Sequence, residues 1–162
     1  MKYIALIFLI SLFIEAFFSF KRVQRRKGEY EKATQLSKKL GKKLLVIGAP
    51  NNGGYNKIFG PSYKCGDVCV DIIGCTGCKR SIQGDLLEVL KTMPSNQYVI
   101  FESCTLEYID REHNNIIYHI KRVSGNDYFN VRVGHSLYMY IFYVPALWTG
   151  EKYQPTKWID KY

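Results

Sequence analysis

Histidine is nearly absent. The three present, His113, His119 and His135, match neither the spacing of a metalloprotease helix nor that of a catalytic triad. No Gly-x-x-x-x-Gly-Lys-Ser/Thr loop is there to cradle a triphosphate, and no Gly-x-Ser-x-Gly elbow is there to present a nucleophilic serine. Low-complexity tracts are missing, as are internal repeats of roughly 20–50 residues, so solenoids and propellers are excluded. Disorder is excluded as well, because 47% of the 162 residues are hydrophobic. The five cysteines, Cys65, Cys69, Cys75, Cys78 and Cys104, are an odd number. An odd count does not suit a complete disulfide framework, so reduced thiols in a cytosolic body are the expectation.

Acidic residues are also scarce, and the shortage is local. Residues 21–43 hold ten Lys or Arg and only two acids, Glu29 and Glu31, whereas residues 44–162 are nearly neutral. The overall charge of +9 therefore belongs to one short segment. Basic character confined this way, with no interleaved aromatics, argues against nucleic-acid binding. The segment follows an apolar run, "YIALIFLISLFIEAFFSF" at 3–20, whose one charge is Glu15. That run is just long enough to cross a bilayer as a helix. A cleavable signal peptide is the rival reading. The length of the run, the basic residues after it and the poor cleavage site "EAFFSF" oppose that rival. The expectation is a transmembrane anchor at 1–20, then a basic juxtamembrane segment and helix at 21–43 with a hinge over 21–28. The basic residues would touch anionic lipid headgroups. Charge bias puts the N-terminus outside and the remaining chain in the cytosol.

Periodicity organises the rest. "LLVI" at 44–47 is a short, wholly apolar strand of the kind buried on both faces of a parallel sheet. Further strands are expected at 67–72, 97–103, 128–134 and 137–145. Short helices are expected at 85–93 and 106–123, and loops at 48–66 and 73–84. This order predicts an α/β domain over 44–162 with a mostly parallel, doubly wound sheet, the last two strands forming an antiparallel hairpin edge. "VIGAPNNGG" places glycines directly after the first strand, where backbone can approach a ligand closely. Asp71 ends the second strand, where an acid can accept hydrogen bonds from ribose hydroxyls.

In order and spacing, "LLVIGAPNNGG", "GDVCVDI", "GDLLEVL", "QYVIFESCTLEYID" and "IKRVSGNDYFNVRV" resemble the class I S-adenosylmethionine-dependent methyltransferases over about residues 40–145. The resemblance implies a Rossmann-like fold with S-adenosylmethionine as cofactor. It implies a cofactor surface of Gly48, Ala49, Asp71, Asp85, Leu86 and Ser103. Glu102 lies near the substrate mouth that the resemblance implies, as a base or an amine-orienting carboxylate, or as a salt-bridged strand-end residue. Three positions depart from the family pattern: Val46 replaces an acid, Pro50 a glycine and Tyr98 an aspartate. These favour an alternative, a catalytically inactive methyltransferase-like module serving as a structural or interaction protein in a membrane or viral assembly. A further alternative is a small zinc-binding membrane protein using Cys65, Cys69, Cys75 and Cys78. Zinc is not the expected cofactor, because Cys69 sits within a strand and only Cys75-x2-Cys78 has ligand spacing.

Overall fold

The computed structural model describes residues 2–50, 60–103, 105, 106, 109 and 113–131, the side chains of 2–5 and 7 excepted. Helix α1 (Lys2–Leu40) leads into strand β1 (Lys43–Ile47), followed by β2 (Val68–Asp71), β3 (Ser81–Gln83), α2 (Leu86–Thr92), β4 (Tyr98–Ser103), α3 (His113–Ser124) and β5 (Tyr128–Val131). All five strands run parallel in the order β3-β2-β1-β4-β5.

Strand β1 is central because its sequence suits no other place. Leu44, Leu45, Val46 and Ile47 are all buried, so the strand needs cover on both faces. Leu45 and Ile47 join Val68, Val70 and Ile100 on one face, beneath Leu87 and Leu90 of α2 and Ile116, Ile120 and Val123 of α3. Leu44 and Val46 join Val99 and Phe101 on the other face, covered by Ala33 of α1 and by Tyr63 and the cysteines of the β1–β2 and β2–β3 connections. Tyr30 stacks edge-on against Phe101 at 5.3 Å and lies 6.2 Å from Tyr63. Burial of the Tyr30 hydroxyl pushes its pKa above the usual 10.0.

Helix α1 is continuous where a hinge was expected. It runs through Gly28, which has open space around it. It stops at Gly41, whose φ of +64° closes the helix with Gly41 N–H donating to the Lys38 carbonyl and Lys42 N–H to that of Ser37. Only the part around Tyr30, Ala33 and Leu36 packs on the sheet face. The expected transmembrane helix is not found: among the described residues no helix is long and apolar enough to cross a membrane. The run at 3–20 amounts to about 27 Å of helix, short of a bilayer core of about 30 Å, and it carries Glu15. Glu15 within the stretch is held by Arg22 at 2.7 Å and by the Ser19 hydroxyl at 3.3 Å.

Three other differences bear on function. Strand β3 lies inside what reads as the 73–84 loop. Described helix α3 begins at His113, later than the expected 106. The expectation of reduced cysteines is overturned: Cys65 bonds to Cys78 and Cys69 to Cys75, stapling both connections that flank β2. The expected strand at 137–145, with its hairpin edge, lies outside the described residues.

Candidate functional site

Because every strand is parallel, all five carboxyl ends lie on one edge of the sheet. The chain reverses direction across the sheet between β1 and β4: from β1 it moves outward to β2 and β3, and α2 then carries it back to β4 on the other side. The gap between the β1 and β4 ends is the switch point, where open α/β sheets hold ligands.

Gly48 opens that edge. Its φ is +94°, a conformation that side chains rarely adopt. Its N–H donates to the Val70 carbonyl at 2.9 Å. A Cβ here would collide with the Thr105 hydroxyl, which itself donates to the Ile47 carbonyl at 3.3 Å. Ser103, buried at the end of β4, has its carbonyl just beyond, 3.9 Å from where that Cβ would sit. Gly48, Ser103 and Thr105 therefore meet at the switch point.

One strand over, Asp71 ends β2. Its Oδ2 accepts the Ala49 N–H at 2.8 Å and its Oδ1 accepts the Ile73 N–H at 3.0 Å. The first bond fixes the start of the glycine loop and the second closes a turn after β2. A carboxylate offers about four acceptor positions, so roughly two remain for a ligand diol. Ile72 and Ile73, beside it, are exposed at 71% and 68%. Two solvent-facing isoleucines next to a strand-end acid form an apolar platform that sequence reading passed over. Their only sequence signal was an apolar pair continuing past the strand.

Asp85 stands just past β3, on the same edge, because β3 exists. Its Oδ1 caps α2 by accepting the N–H groups of Leu87 at 2.9 Å and Glu88 at 3.2 Å. Among the described residues its Oδ2 makes no hydrogen bond, so one carboxylate oxygen faces outward from the cap. Leu86 is buried in the core under α2 and does not join the group at the switch point.

Glu102 is 1% exposed. Its Oε1 accepts the N–H groups of Thr105 at 2.5 Å and Leu106 at 3.1 Å, and the Tyr128 hydroxyl donates to Oε2 at 3.3 Å. Both oxygens therefore hold the turn after β4 against β5, and this turn is what carries Thr105 over Gly48. The positioning role of Thr105 has no motif behind it, only its place two residues past a strand.

A concavity of about 630 Å³ lies between α1 and the segment leading to β2. Tyr30, Thr34, Lys38, Lys64, Gly66 and Lys79 line it. Comparison of the chain with family models, with curated proteins and with solved structures finds no match.

Proposed function

We propose that the chain binds S-adenosylmethionine, through its adenosine part, at the carboxyl edge of the sheet, as a methyltransferase-like domain held at a membrane by its N-terminal helix. The observation that carries this reading is Asp71. It clamps the Gly48–Ala49 turn, keeps acceptor capacity for ribose hydroxyls, precedes the exposed Ile72 and Ile73, and its carbonyl accepts the N–H of Gly84, the residue before Asp85. An apolar platform suits the face of a purine, and the outward oxygen of Asp85 suits its amino group. Methyl transfer itself is an in-line displacement: the acceptor's lone pair forms the new bond to carbon while the sulfonium's carbon–sulfur bond breaks. Positioning and desolvation carry much of that step, so no base is demanded of Glu102.

The second reading, a binding or assembly module without transferase activity, draws support from the crowding at the switch point. There Thr105 fills the space above Gly48 and Glu102 is committed to the turn. Binding titration separates the readings at the first step. Calorimetry with S-adenosylmethionine and S-adenosylhomocysteine on the full chain in detergent is expected to give micromolar binding that Asp71→Ala abolishes. A folded chain that binds neither compound would sink the cofactor reading and leave the assembly module.

The membrane part of the proposal rests on α1. Phe8, Leu9, Phe13 and Phe18 are more than half exposed, and Lys21, Arg22, Arg25, Arg26 and Lys27 follow them. Neutralised by Arg22, Glu15 adds less to the cost of burying this stretch in lipid. Basic residues at its end would meet anionic headgroups, which the cytoplasmic leaflet carries.

A further inference from the structure

Four of the five cysteines converge on one spot. Cys69 comes from the middle of β2, Cys75 and Cys78 from the β2–β3 connection, and Cys65 from the approach to β2. The sulfurs of Cys69, Cys75 and Cys78 all lie within 4.8 Å of one another, and the Cys65 sulfur is bonded to that of Cys78. We propose that, in its reduced form, this cluster is a structural zinc site with four thiolate ligands. This inference is independent of the cofactor reading.

The geometry suits the metal. Zinc–sulfur bonds of about 2.3 Å put tetrahedral ligand sulfurs about 3.8 Å apart. Three sulfurs already lie within 4.8 Å of one another, and once reduced the pairs Cys69–Cys75 and Cys65–Cys78 must part to reach that spacing. Cys69 and Cys75 are 0% and 4% exposed, which fits the closed shell of a structural site. Cys75-Thr-Gly-Cys78 is a tight turn: Cys78 N–H donates to the Cys75 carbonyl at 3.2 Å and Gly77 sits at φ +79°. That turn brings two ligands of a Cys-x2-Cys pair to one side of an ion. Four thiolates on a divalent cation leave a charge of about −2. Lys64 and Lys79, which line the same concavity as Cys65, would offset part of it.

Chemistry decides between the two states. A body on the cytosolic side, the orientation proposed above and the one part of that reading used here, meets reductants that open disulfides. Opening both disulfides takes four electrons and four protons: two equivalents of a dithiol supply both and become disulfides, or two equivalents of a phosphine supply the electrons and become phosphine oxides while two waters supply the protons. Four thiols result, and zinc binding then releases their four protons. The same cluster is therefore two disulfides where oxidants dominate and one zinc site where thiols dominate. Cys69 Sγ lies 3.7 Å from the Gly48 carbonyl, so either state braces the glycine turn from behind.

The test uses the full chain in detergent, reduced anaerobically with a phosphine and titrated with cobalt(II) as a coloured stand-in for zinc. One equivalent is expected to develop the visible bands of a tetrahedral thiolate site, and zinc is expected to bleach them. Cys104→Ser should keep the signal. Cys75→Ser/Cys78→Ser should weaken binding at least on the order of 100-fold. Where that variant fails to fold, thiol counting on the parent replaces it: zinc should shield four thiols from an alkylating reagent and a strong chelator should release all four. Absence of a one-equivalent tetrahedral signal in the reduced parent overturns the proposal, as does zinc that leaves all five thiols reactive.

Discussion

At the scale of single residues, the switch point is decided by an absence, the missing side chain of Gly48. The backbone there is left-handed and the Thr105 hydroxyl occupies the space a Cβ would need. Gly48→Ala therefore meets two penalties of different origin. The conformational one is roughly 1–3 kcal/mol for a residue held at such a φ. The steric one belongs to Thr105. Chemical denaturation of Gly48→Ala is expected to show a loss of about 2–4 kcal/mol. Gly48→Ala/Thr105→Ala is expected to recover the steric part and keep the conformational part. Equal losses in the single and double variants would mean that Thr105 does not crowd the turn. Asp71 shows the same economy, since one side chain fixes two turns and still offers acceptor positions to a ligand.

At the scale of elements, α2 shows how a helix of seven residues persists. So short a helix has no stability of its own in water. Asp85 caps its start, and Leu86, Leu87 and Leu90 bury one face. Arg122, reaching over from α3, caps its end. One guanidinium nitrogen of Arg122 donates to the Leu90 carbonyl at 2.6 Å, and the other to the Met93 carbonyl at 2.9 Å and the Ser95 hydroxyl at 3.0 Å. Arg122→Ala is expected to lower stability by about 2 kcal/mol in urea titration. Arg122→Lys should restore under half of that, because an ammonium cannot span the same forked set of acceptors. Full recovery by lysine would show that charge alone matters there.

The same elements show what a sequence displays and what it conceals. Strand β1 was legible because four apolar residues in a row demand burial on both faces. Strands β2 and β4, and helix α2, were legible from their own apolar patterns, but the capping role of Asp85 was not. Strand β3 was not. Ser81, Ile82 and Gln83 carry no apolar pattern, and an edge strand with two exposed side chains is held by backbone hydrogen bonds that leave no mark on composition. The cysteine pairing was hidden because spacing alone permits several connectivities, and an odd count argued against all of them. At the candidate site the positions of Gly48 and Asp71 on one edge were readable from order and spacing, whereas that of Asp85 depends on β3. Thr105 and the Ile72–Ile73 platform were not, because they depend on how loops from different strands fold back.

At the scale of the whole molecule, the body is nearly neutral and its basic charge is gathered near the middle of α1. The apolar and basic parts of that helix should answer differently to salt. Co-sedimentation of the full chain with vesicles containing phosphatidylserine is expected to weaken as salt rises, down to a floor set by the apolar stretch. Arg25→Ala/Lys27→Ala should lower affinity by about thirtyfold at low salt, near 1 kcal/mol per residue. Binding that ignores both salt and these substitutions would remove headgroup attraction from the account.

The placing of β1 at the centre of the sheet also sets a timetable. Leu45 lies against Val68 on one side and against Ile100 on the other, so its second neighbour is made much later than the strand itself. At about 5–20 residues per second, a ribosome takes roughly 3–10 s to cover that interval. Throughout it, an apolar ribbon waits with one hydrogen-bonding side open. The backbone hydrogen bonds of helix α1 are all local, and a helix of this kind forms within about a microsecond. The helix is thus ready to meet a surface well before the sheet behind it can close.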